Sequence, residues 1–585
     1  MYLLTAIFSL LLTCLMMAEQ KKPNVLIVLA DDMGWGDLGS NGNDMVSTPK
    51  IDSIGRDGAT LDHFFVCPVC SPTRAEFLTG RYHLRTGVHD VSNGGERLNL
   101  DETTIAQVFK DSGYATGAFG KWHNGTQWPY HPNARGFDEF YGFTSGHWGT
   151  YYDPPLDHNG ALTKGKGYII DDLTEHAMEF ITQHKDSPFF CYVPYNTPHE
   201  PMQVPDEYWN RFKEKALKQH AFDTKQEDDN FTRCVLAMME NMDWNVGRLL
   251  KRLDELNLAN DTIVIFFSDN GPNSWRWNGG MKGKKGSTDE GGVRSPFVIR
   301  WPGKISTGRK VPQIAGAIDL LPTLTDLAGL PLKSVKPIDG VSLKALFTGD
   351  SKAEWPERMI FSHWGDSVSV RTQQYRLDNA GALFDMVADP SQQHDIAKGK
   401  PELAESLSKA TRAWKAEMNP NAKHDDTRPF TVGYIERPLT MLPARDGVPH
   451  GKVMRSSNAP NCSYFKNWAS IEDTITWDID VHTAGRYEAI VHYTCPESDV
   501  GSEVEVEFKG SRLRAKVSEA NDPPLLGAEN DRVSRNGVSF VKDFKPMSLG
   551  VFALPAGRDL LTLRAVQIPG KGVMDVLMIE LVLQK

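Results

Sequence analysis

Carboxylates and amides stand at the ends of two predicted strands. Asp31-Asp32 follows one apolar run, and Asp269-Asn270 follows another. Both pairs offer hard oxygen donors, which suit Ca²⁺ and, less well, Mg²⁺, but not zinc. Because the carboxyl ends of parallel strands meet at one edge of a sheet, we expect both pairs to lie together there. Either pair alone would equally fit a turn or a helix cap, so the metal prediction rests on the two together.

Lysines and histidines follow the same pattern. Each stands at or shortly after the end of a strand-like segment, so each is expected at the same sheet edge, where together they would form a cationic pocket. For the lysine run at residues 282–285, a solvated loop is the alternative. The residues are Lys121 and His123 after residues 114–119, His199 after residues 189–193, and Lys285 in the loop after Asp269-Asn270.

Cys70 starts a third chemical feature, the segment Cys70-Ser71-Pro72-Thr73-Arg74. Pro72 fits the first turn of a helix, and Gly80 fits its C-terminal end. At a helix N-terminus the macrodipole and the free N–H groups favour an anion, and Arg74 lies one turn further on. A lone cysteine is by default a buried structural thiol, and Cys67-Pro68-Val69-Cys70 also has the spacing of a redox pair. The residues after Cys70 favour a role at an anion site.

Strands and helices alternate in the first part of the chain. Residues 24–30, 189–193 and 262–267 are continuous apolar runs, as expected for strands that are buried on both faces. Apolar stripes at helical spacing lie between them, the longest at residues 236–253. The pattern predicts an α/β fold, with a mostly parallel sheet flanked by helices.

The chain is too long for one hydrophobic core, so we expect several domains. The residues Ile475, Trp477, Ile479 and Val481 alternate with polar ones and typify a β-sandwich. The predicted division is a signal peptide at 1–18, an α/β domain at 19–353, a small α+β subdomain with a polar linker at 354–428, and a β-sandwich at 429–585.

Composition limits the partners and the location. The net charge of -11 argues against nucleic-acid binding. The apolar segment at residues 1–18 predicts export to the periplasm or the medium, although it has no Lys or Arg at its start; a lipoprotein signal at Leu12-Thr13-Cys14 and an uncleaved anchor are alternatives. No later stretch is long and apolar enough to span a bilayer. Cys462 and Cys495 could pair in an exported protein, which the sequence leaves open.

The order of these motifs resembles that of the type I, formylglycine-dependent sulfatases of the alkaline phosphatase-like superfamily. The resemblance covers about residues 22–418. It rests on the following segments: Asp31-Asp32-Met33-Gly34, Thr48-Pro49-Lys50-Ile51-Asp52, Cys70 to Arg74 with Leu78-Thr79-Gly80-Arg81, Gly120-Lys121-Trp122-His123, Thr197-Pro198-His199, Ser268-Asp269-Asn270-Gly271-Pro272, and Lys285-Gly286 with Glu290-Gly291-Gly292.

The resemblance implies that a maturation enzyme oxidises Cys70 to formylglycine, whose hydrate attacks the sulfur of a sulfate ester. It implies one Ca²⁺ held by Asp31, Asp32, residue 70, Asp269 and Asn270. The implied roles of the side chains are proton acceptance by Asp269, neutralisation of the sulfate by Arg74, Lys121 and Lys285, assistance to the leaving alcohol by His199 and Lys285, and removal of the second hydroxyl proton by His123.

The sequence departs from the family pattern at Thr73, where serine is usual, at Lys282, where arginine is common, and at Gly146, where some relatives have serine. The β-rich region at 429–585 resembles galactose-binding-like carbohydrate-binding modules; a purely structural role is equally expected. We therefore expect a sulfated carbohydrate, derived from a polysaccharide, as the substrate. Aromatic side chains near the motifs could stack on sugar rings or simply pack in the core; they are Trp122, the pair His147-Trp148 and the pair His363-Trp364.

Two other functions fit parts of this pattern. A phosphodiesterase or phosphonate monoester hydrolase of the same superfamily would use the same fold and metal site. A catalytically inactive glycan-binding protein would lack a ligand or the nucleophile, and this sequence lacks neither.

Overall fold

The computed structural model describes residues 21–349, 355–418 and 426–584. The predicted signal peptide at 1–18 and most of the predicted linker lie outside these ranges. In the described part of the chain, no helix combines the length and apolar character needed to cross a bilayer.

One large mixed sheet organises residues 21–330. Its central strands run parallel in the order β8-β1-β7-β3-β4, while β10 runs antiparallel between β8 and β2. Among the described residues it has eleven strands: β1 Asn24–Ala30, β2 Ala59–Phe65, β3 Ala115–Lys121, β4 Glu139–Phe143, β5 Pro155–His158, β6 Ala161–Lys164, β7 Phe189–Pro194, β8 Thr262–Ser268, β9 Arg294–Ser295, β10 Phe297–Arg300 and β11 Arg309–Gly316.

Helices cover both faces of this sheet, which confirms the predicted α/β fold. Leu26 and Val28 of β1 face one hydrophobic core, whereas Val25 and Ile27 face the other, as expected for a strand buried on both sides. The helices are α1 Pro49–Arg56, α2 Cys70–Thr79, α3 Ile105–Asp111, α4 Ile169–Gln183, α5 Asp206–Phe212, α6 Asp229–Glu255, α7 Glu290–Val293, α8 Leu320–Leu327, α9 Lys344–Thr348 and α10 Pro401–Met418. Helices α1, α4, α5 and α6 pack on the first core, and α2, α3, α8 and α9 on the second.

A small antiparallel sheet and helix α10 follow. Within residues 355–418 the sheet has the strands β12 Ile360–Trp364, β13 Ser367–Arg371, β14 Tyr375–Leu377 and β15 Leu383–Asp385. Glu290 of α7 joins this sheet to the large one, because its carboxylate lies 2.8 Å from Arg376 and 3.5 Å from Arg371. All three side chains are buried.

The last part of the chain is a β-sandwich with its own core. Ile475, Trp477, Ile479 and Val481 all point into that core, as their alternation predicts. Between residues 426 and 584 the strands are β16 Phe430–Val432, β17 Leu439–Pro443, β18 Val448–His450, β19 Met454–Arg455, β20 Phe465–Lys466, β21 Thr474–Val481, β22 Gly485–Thr494, β23 Glu503–Phe508, β24 Ser511–Lys516, β25 Lys545–Leu554, β26 Gly557–Gln567 and β27 Asp575–Leu583, in two sheets. The exact domain boundaries given above stay predictions.

The buried Glu290 predicts a pH-dependent loss of stability on substitution. Burial opposes its charge, but Arg371 and Arg376 lower the pKa of its carboxyl from 4.5 to about 2. The folded state therefore gains stability from Glu290 above pH 4.5 and loses it as the pH falls from 4.5 towards 2. Glu290→Gln should lower the free energy of unfolding at neutral pH by about 3–5 kcal/mol, because it leaves buried arginines unpaired.

The measurement is thermal melting, monitored by circular dichroism, at neutral pH and at a pH below the pKa of free glutamate. Glu402→Gln, on the exposed start of α10, is the matched control and should melt like the parent protein. A Glu290→Gln deficit that stays the same at both pH values would contradict the assignment.

Candidate active site

The strand ends meet as the sequence predicts. Strands β8, β1, β7 and β3 lie side by side and parallel, so their carboxyl ends form one edge of the sheet. Helix α2 and the loop before α7 pack against this edge. All the predicted site residues come together here, and they are Asp31, Asp32, Cys70, Arg74, Lys121, His123, His199, Asp269, Asn270 and Lys285.

The oxygen donors form a compact cluster. The Asn270 side-chain nitrogen Nδ2 donates to Asp32 Oδ1 at 2.8 Å, and the Asp32 backbone N–H donates to Asp269 Oδ1 at 3.2 Å. Asp31 Oδ1 and Asn270 Oδ1 are buried and have no hydrogen-bond partner among the described residues. Since buried polar atoms are normally paired, these orphaned oxygens fit the ligands of a hard cation such as Ca²⁺.

Cys70 is the first residue of α2 and is buried. Its sulfur and carboxylate oxygens of Asp31 and Asp269 all lie within 4.8 Å of one another. Thr73 fixes the start of the helix, because its hydroxyl donates to the Asp269 carbonyl at 2.6 Å and accepts from the Cys67 N–H at 2.8 Å. The threonine thus performs through its hydroxyl a positioning role that serine could also perform. Gly80 ends the helix in the left-handed conformation, with φ of 69°.

Three cations, of which Arg74 and Lys121 are buried and Lys285 is half-buried, each pair with a different carboxylate. Arg74 donates to Asp269 Oδ2 at 2.8 and 3.1 Å, and to the Lys121 carbonyl at 2.6 Å. Lys121 Nζ lies 2.7 Å from Asp31 Oδ2, and Lys285 Nζ lies 2.5 Å from Asp32 Oδ1. Arg74 is therefore engaged on the protein side of the cluster, where it orients Asp269.

The charges in the cluster are unequal. Burial opposes ionisation of Asp31 and Asp32, but Lys121 and Lys285 respectively outweigh it and hold the pKa of each carboxyl below its usual value. Burial and the neighbouring Asp31 raise the pKa of Asp269, although Arg74 opposes this. Burial also raises the pKa of the Cys70 thiol. The two lysines thus favour the ionised forms of Asp31 and Asp32, whereas burial favours the protonated form of Asp269.

His123 and His199 present different nitrogens to the cluster. His123 Nε2 lies 2.8 Å from the Val91 carbonyl, so this nitrogen carries the proton. Its Nδ1 is left as an acceptor with no partner in the described part of the chain, and burial holds the pKa of the ring well below its usual value. His199 donates through Nδ1 to the Glu200 carbonyl at 2.7 Å, and its Nε2 lies 3.6 Å from Asp32.

His147 belongs to this site more closely than the sequence suggests. Its ring stacks on that of His199 with centroids 5.7 Å apart, and burial lowers its pKa well below the usual value. The sequence alone predicts for it either a contact with a sugar ring or packing in the core. The motif that would have assigned it a role is the family's serine before this position, which is Gly146 here.

Other predicted residues lie outside the cluster. Trp122 is buried and donates to the Tyr130 carbonyl at 3.1 Å, so it packs in the core and offers no face to a sugar. His363 stacks on His83 with centroids 5.2 Å apart. Lys282 lies 3.3 Å from Asp289, so it turns away from the oxygen cluster.

The cysteines form no disulfide in the described ranges. Cys67 and Cys70 are both free and buried, and so are Cys462 and Cys495. The Cys67 thiol instead faces Glu76, and burial raises its pKa well above the usual value.

A family model described as sulfatase matches residues 23–330 of the chain. The chain belongs to the sulfatase family. A second model, N-sulphoglucosamine sulphohydrolase, C-terminal, matches residues 284–417 of this sulfatase. Both matches end before the β-sandwich. The resemblance found in the sequence is thus confirmed, and the protein is an enzyme that hydrolyses sulfate esters.

Individual relatives agree with this family. Human steryl-sulfatase is 32% identical over 57% of this chain and 70% of its own length, and human arylsulfatase A is 32% identical over 67% and 83%. Mouse N-acetylgalactosamine-6-sulfatase is 30% identical over 60% and 71%. Among solved structures, that of Ps i-CgsB in complex with k-i-k-neocarrahexaose has a TM-score of 0.63 and 29% identity, over 70% of this sulfatase and 96% of that chain.

The position of Thr73 predicts an effect on the sulfatase that depends on its hydroxyl. Thr73→Val leaves the buried Cys67 N–H without its acceptor and removes the bond to the Asp269 carbonyl. It should lower the free energy of unfolding by about 1–3 kcal/mol and reduce activity, because the start of α2 is no longer fixed to the end of β8. Thr73→Ser, the matched control, keeps the hydroxyl and should retain activity. Thermal melting and aryl sulfate hydrolysis measure both effects; equal behaviour of the two variants would contradict the role.

Proposed function

We propose that this sulfatase removes sulfate from a carbohydrate derived from a polysaccharide, with residue 70 as nucleophile after its conversion to formylglycine and with one bound Ca²⁺. One observation supports this most directly: Cys70 lies at a buried helix N-terminus with Asp31 and Asp269 oxygens beside it. A carbohydrate substrate is supported by two relatives, one named for N-acetylgalactosamine 6-sulfate hydrolysis and one solved with a neocarrahexaose.

The proposed Ca²⁺ ligands are Asp31, Asp32, residue 70, Asp269 and Asn270. A bound Ca²⁺ would supply positive charge where the sulfate and the nucleophile meet, and the hydrated aldehyde of formylglycine would supply the attacking hydroxyl. Lys121 and Lys285 approach the same place and would neutralise charge on the sulfate oxygens. Arg74 would contribute to this positive field from behind Asp269, which it holds in place.

Proton transfers would fall to four side chains. Asp269, whose pKa burial raises, would accept the proton of the attacking hydroxyl. His199 is placed at the more open side of the cluster and would donate to the leaving alcohol together with Lys285. His123 would take the second hydroxyl proton on Nδ1, its unpaired nitrogen, as sulfate departs.

The maturation step requires a formylglycine-generating enzyme as a partner. The apolar segment at residues 1–18 supports export of the chain to the periplasm or the medium. The acidic net charge argues against a nucleic-acid partner. It also means that an anionic substrate would need a local cationic pocket.

The first test is the identity and the use of residue 70. Enzyme made together with a maturation system should show an aldehyde in the tryptic peptide that ends at Arg74. It should also hydrolyse an aryl sulfate much faster than the matched phosphonate monoester. Cys70→Ala should be folded but inactive, and Cys67→Ala, which removes the neighbouring thiol, should keep the aldehyde. Full activity with unmodified Cys70 would exclude formylglycine as the nucleophile. Faster hydrolysis of the phosphonate than of the sulfate would favour the phosphonate monoester hydrolase alternative.

The second test concerns the metal. Asp31→Asn and Asp269→Asn should each lose the bound Ca²⁺ and most of the activity, because each replaces a carboxylate of the oxygen cluster. Metal content measured by inductively coupled plasma mass spectrometry, and activity before and after chelation, give the two readouts. Asp261→Asn, on an exposed surface pair, is the control. Full activity in metal-free enzyme would show that the cluster is no metal site.

A further inference from the structure

The β-sandwich contacts the loops that carry the site histidines. The Val91 carbonyl accepts from His123 Nε2 at 2.8 Å and from the side-chain nitrogen of Asn461 at 3.2 Å. Asn461 comes from the sandwich, so one carbonyl joins the two domains beside a proposed proton acceptor. The Asn461 side-chain oxygen is buried and lacks a partner among the residues described.

The same residue holds the loop at residues 144–149. Ser145 donates to the Asn461 carbonyl at 2.6 Å, and Arg535 of the sandwich donates to the Gly149 carbonyl at 2.8 Å. A Cβ at Gly146 would lie 2.4 Å from Asn461 Nδ2 and 2.5 Å from His123 Nε2. A side chain at this position would therefore displace Asn461 or His123, and glycine lets the two domains approach closely without that displacement.

A third contact lies directly after His199. The backbone N–H of Asn536 donates to Glu200 Oε1 at 2.6 Å. Gln203 donates to the Gly527 carbonyl at 2.8 Å and to Asp531 at 2.7 Å. The sandwich thus touches the surroundings of His123, His147 and His199, which a domain tethered only by a linker would not do.

A cavity of about 790 Å³ lies between the sandwich and the loop at 144–149. The loop is a shared wall: His147 stacks on His199 on the site side, while Ser145 and Trp148 line the cavity. Asn461 also lines the cavity, so it borders both spaces. The volume is within the usual range for small-molecule sites.

The lining of the cavity suits sugar rings. It combines aromatic side chains from both domains with polar and charged ones, and aromatic faces pack well on the apolar faces of sugars. The two cations on its sandwich wall are already engaged: Arg445 bonds to Thr126, and Lys542 lies 2.7 Å from Asp575. A second sulfate would therefore find no free charge at these two residues. The aromatic residues are Phe143, Trp148, Tyr152, Tyr464 and Phe544.

Two exposed leucines border the mouth of the cavity, one from each domain. Leu162 from the large sheet is 44% exposed and Leu526 from the sandwich is 38% exposed, and both line the cavity. Large aliphatic side chains on a surface mark a binding groove when they border a cavity with convergent polar groups.

We propose that this interdomain cavity binds the sugar units next to the one that carries the reacting sulfate, so that the β-sandwich completes the substrate site. The proposal rests on the proposed function, because it assigns an oligosaccharide to a sulfatase. Binding energy gained in the cavity would orient the sulfate ester at the oxygen cluster, and a short substrate would not gain it.

The test places a bulky side chain at the mouth from each side, in Leu162→Trp and Leu526→Trp. Leu332→Trp is the matched control for Leu162, because Leu332 is also 44% exposed but lies elsewhere on the surface; Leu560→Trp serves for Leu526. Each enzyme is assayed on an aryl sulfate, on sulfated monosaccharides, and on defined sulfated hexasaccharides from carrageenan, chondroitin sulfate and heparan sulfate.

The parent enzyme should prefer its best hexasaccharide to the corresponding monosaccharide. Leu162→Trp and Leu526→Trp should lower kcat/KM for that hexasaccharide about tenfold, mainly through KM, and leave aryl sulfate hydrolysis within about twofold. The control variants should change neither. A parent enzyme without preference for the hexasaccharide, or mouth variants that keep the full preference, would overturn the proposal.

A binding measurement separates this result from the proposed function. Calorimetric titration of Cys70→Ala with the same hexasaccharides needs no turnover. If the parent enzyme hydrolyses no sulfate ester, the proposed function fails. The cavity assignment then stands only if a hexasaccharide binds Cys70→Ala and the added Leu162→Trp change abolishes that binding; absence of binding overturns it.

Discussion

Pairing of buried charge at one sheet edge is the constraint on which the rest of the site depends. Asp31, Asp32 and Asp269 are removed from water, and an unpaired carboxylate there would be very costly. Lys121 and Lys285 reach two of them from different segments, and the third is held by the helix that begins at residue 70. Because each pair joins elements far apart in sequence, the cluster can form only after the sheet and α2 have assembled.

Much of this fold follows from local patterns. The run at residues 24–30 is apolar without alternation because β1 has a hydrophobic core on each side, and this pattern predicts its place in the sheet centre. The antiparallel direction of β10 was not predictable, because the apolar composition of the short segment Phe297–Arg300 does not indicate in which direction the strand runs. The strand at residues 474–481 was predictable because one of its faces lies in the core and the other is partly exposed to solvent, so that apolar and polar residues alternate in its sequence.

The site was predictable where a strand end fixes the side chain, and less so where tertiary contacts decide. The positions of Asp31 and Asp269 follow from the rule that the carboxyl ends of parallel strands meet at one edge of the sheet. The engagement of Arg74 with Asp269 and with the Lys121 carbonyl depends on how α2 docks, which no spacing reveals. Asn461 is more than 300 residues from its partners at Val91 and Ser145, at separations of 370 and 316, and stands in no motif.

The burial of α2 limits the time at which Cys70 could be modified. All ten residues of this helix are inaccessible, and Cys70 itself is only 3% exposed. A modifying enzyme could not bind the segment from Cys70 to Arg74 once Thr73 and Arg74 are hydrogen-bonded to Asp269 at the end of β8. The proposed oxidation of Cys70 would therefore have to precede folding, while the segment is still extended. Chains that fold first would remain unmodified. The yield of active enzyme would therefore depend on the rate of modification relative to the rate of folding.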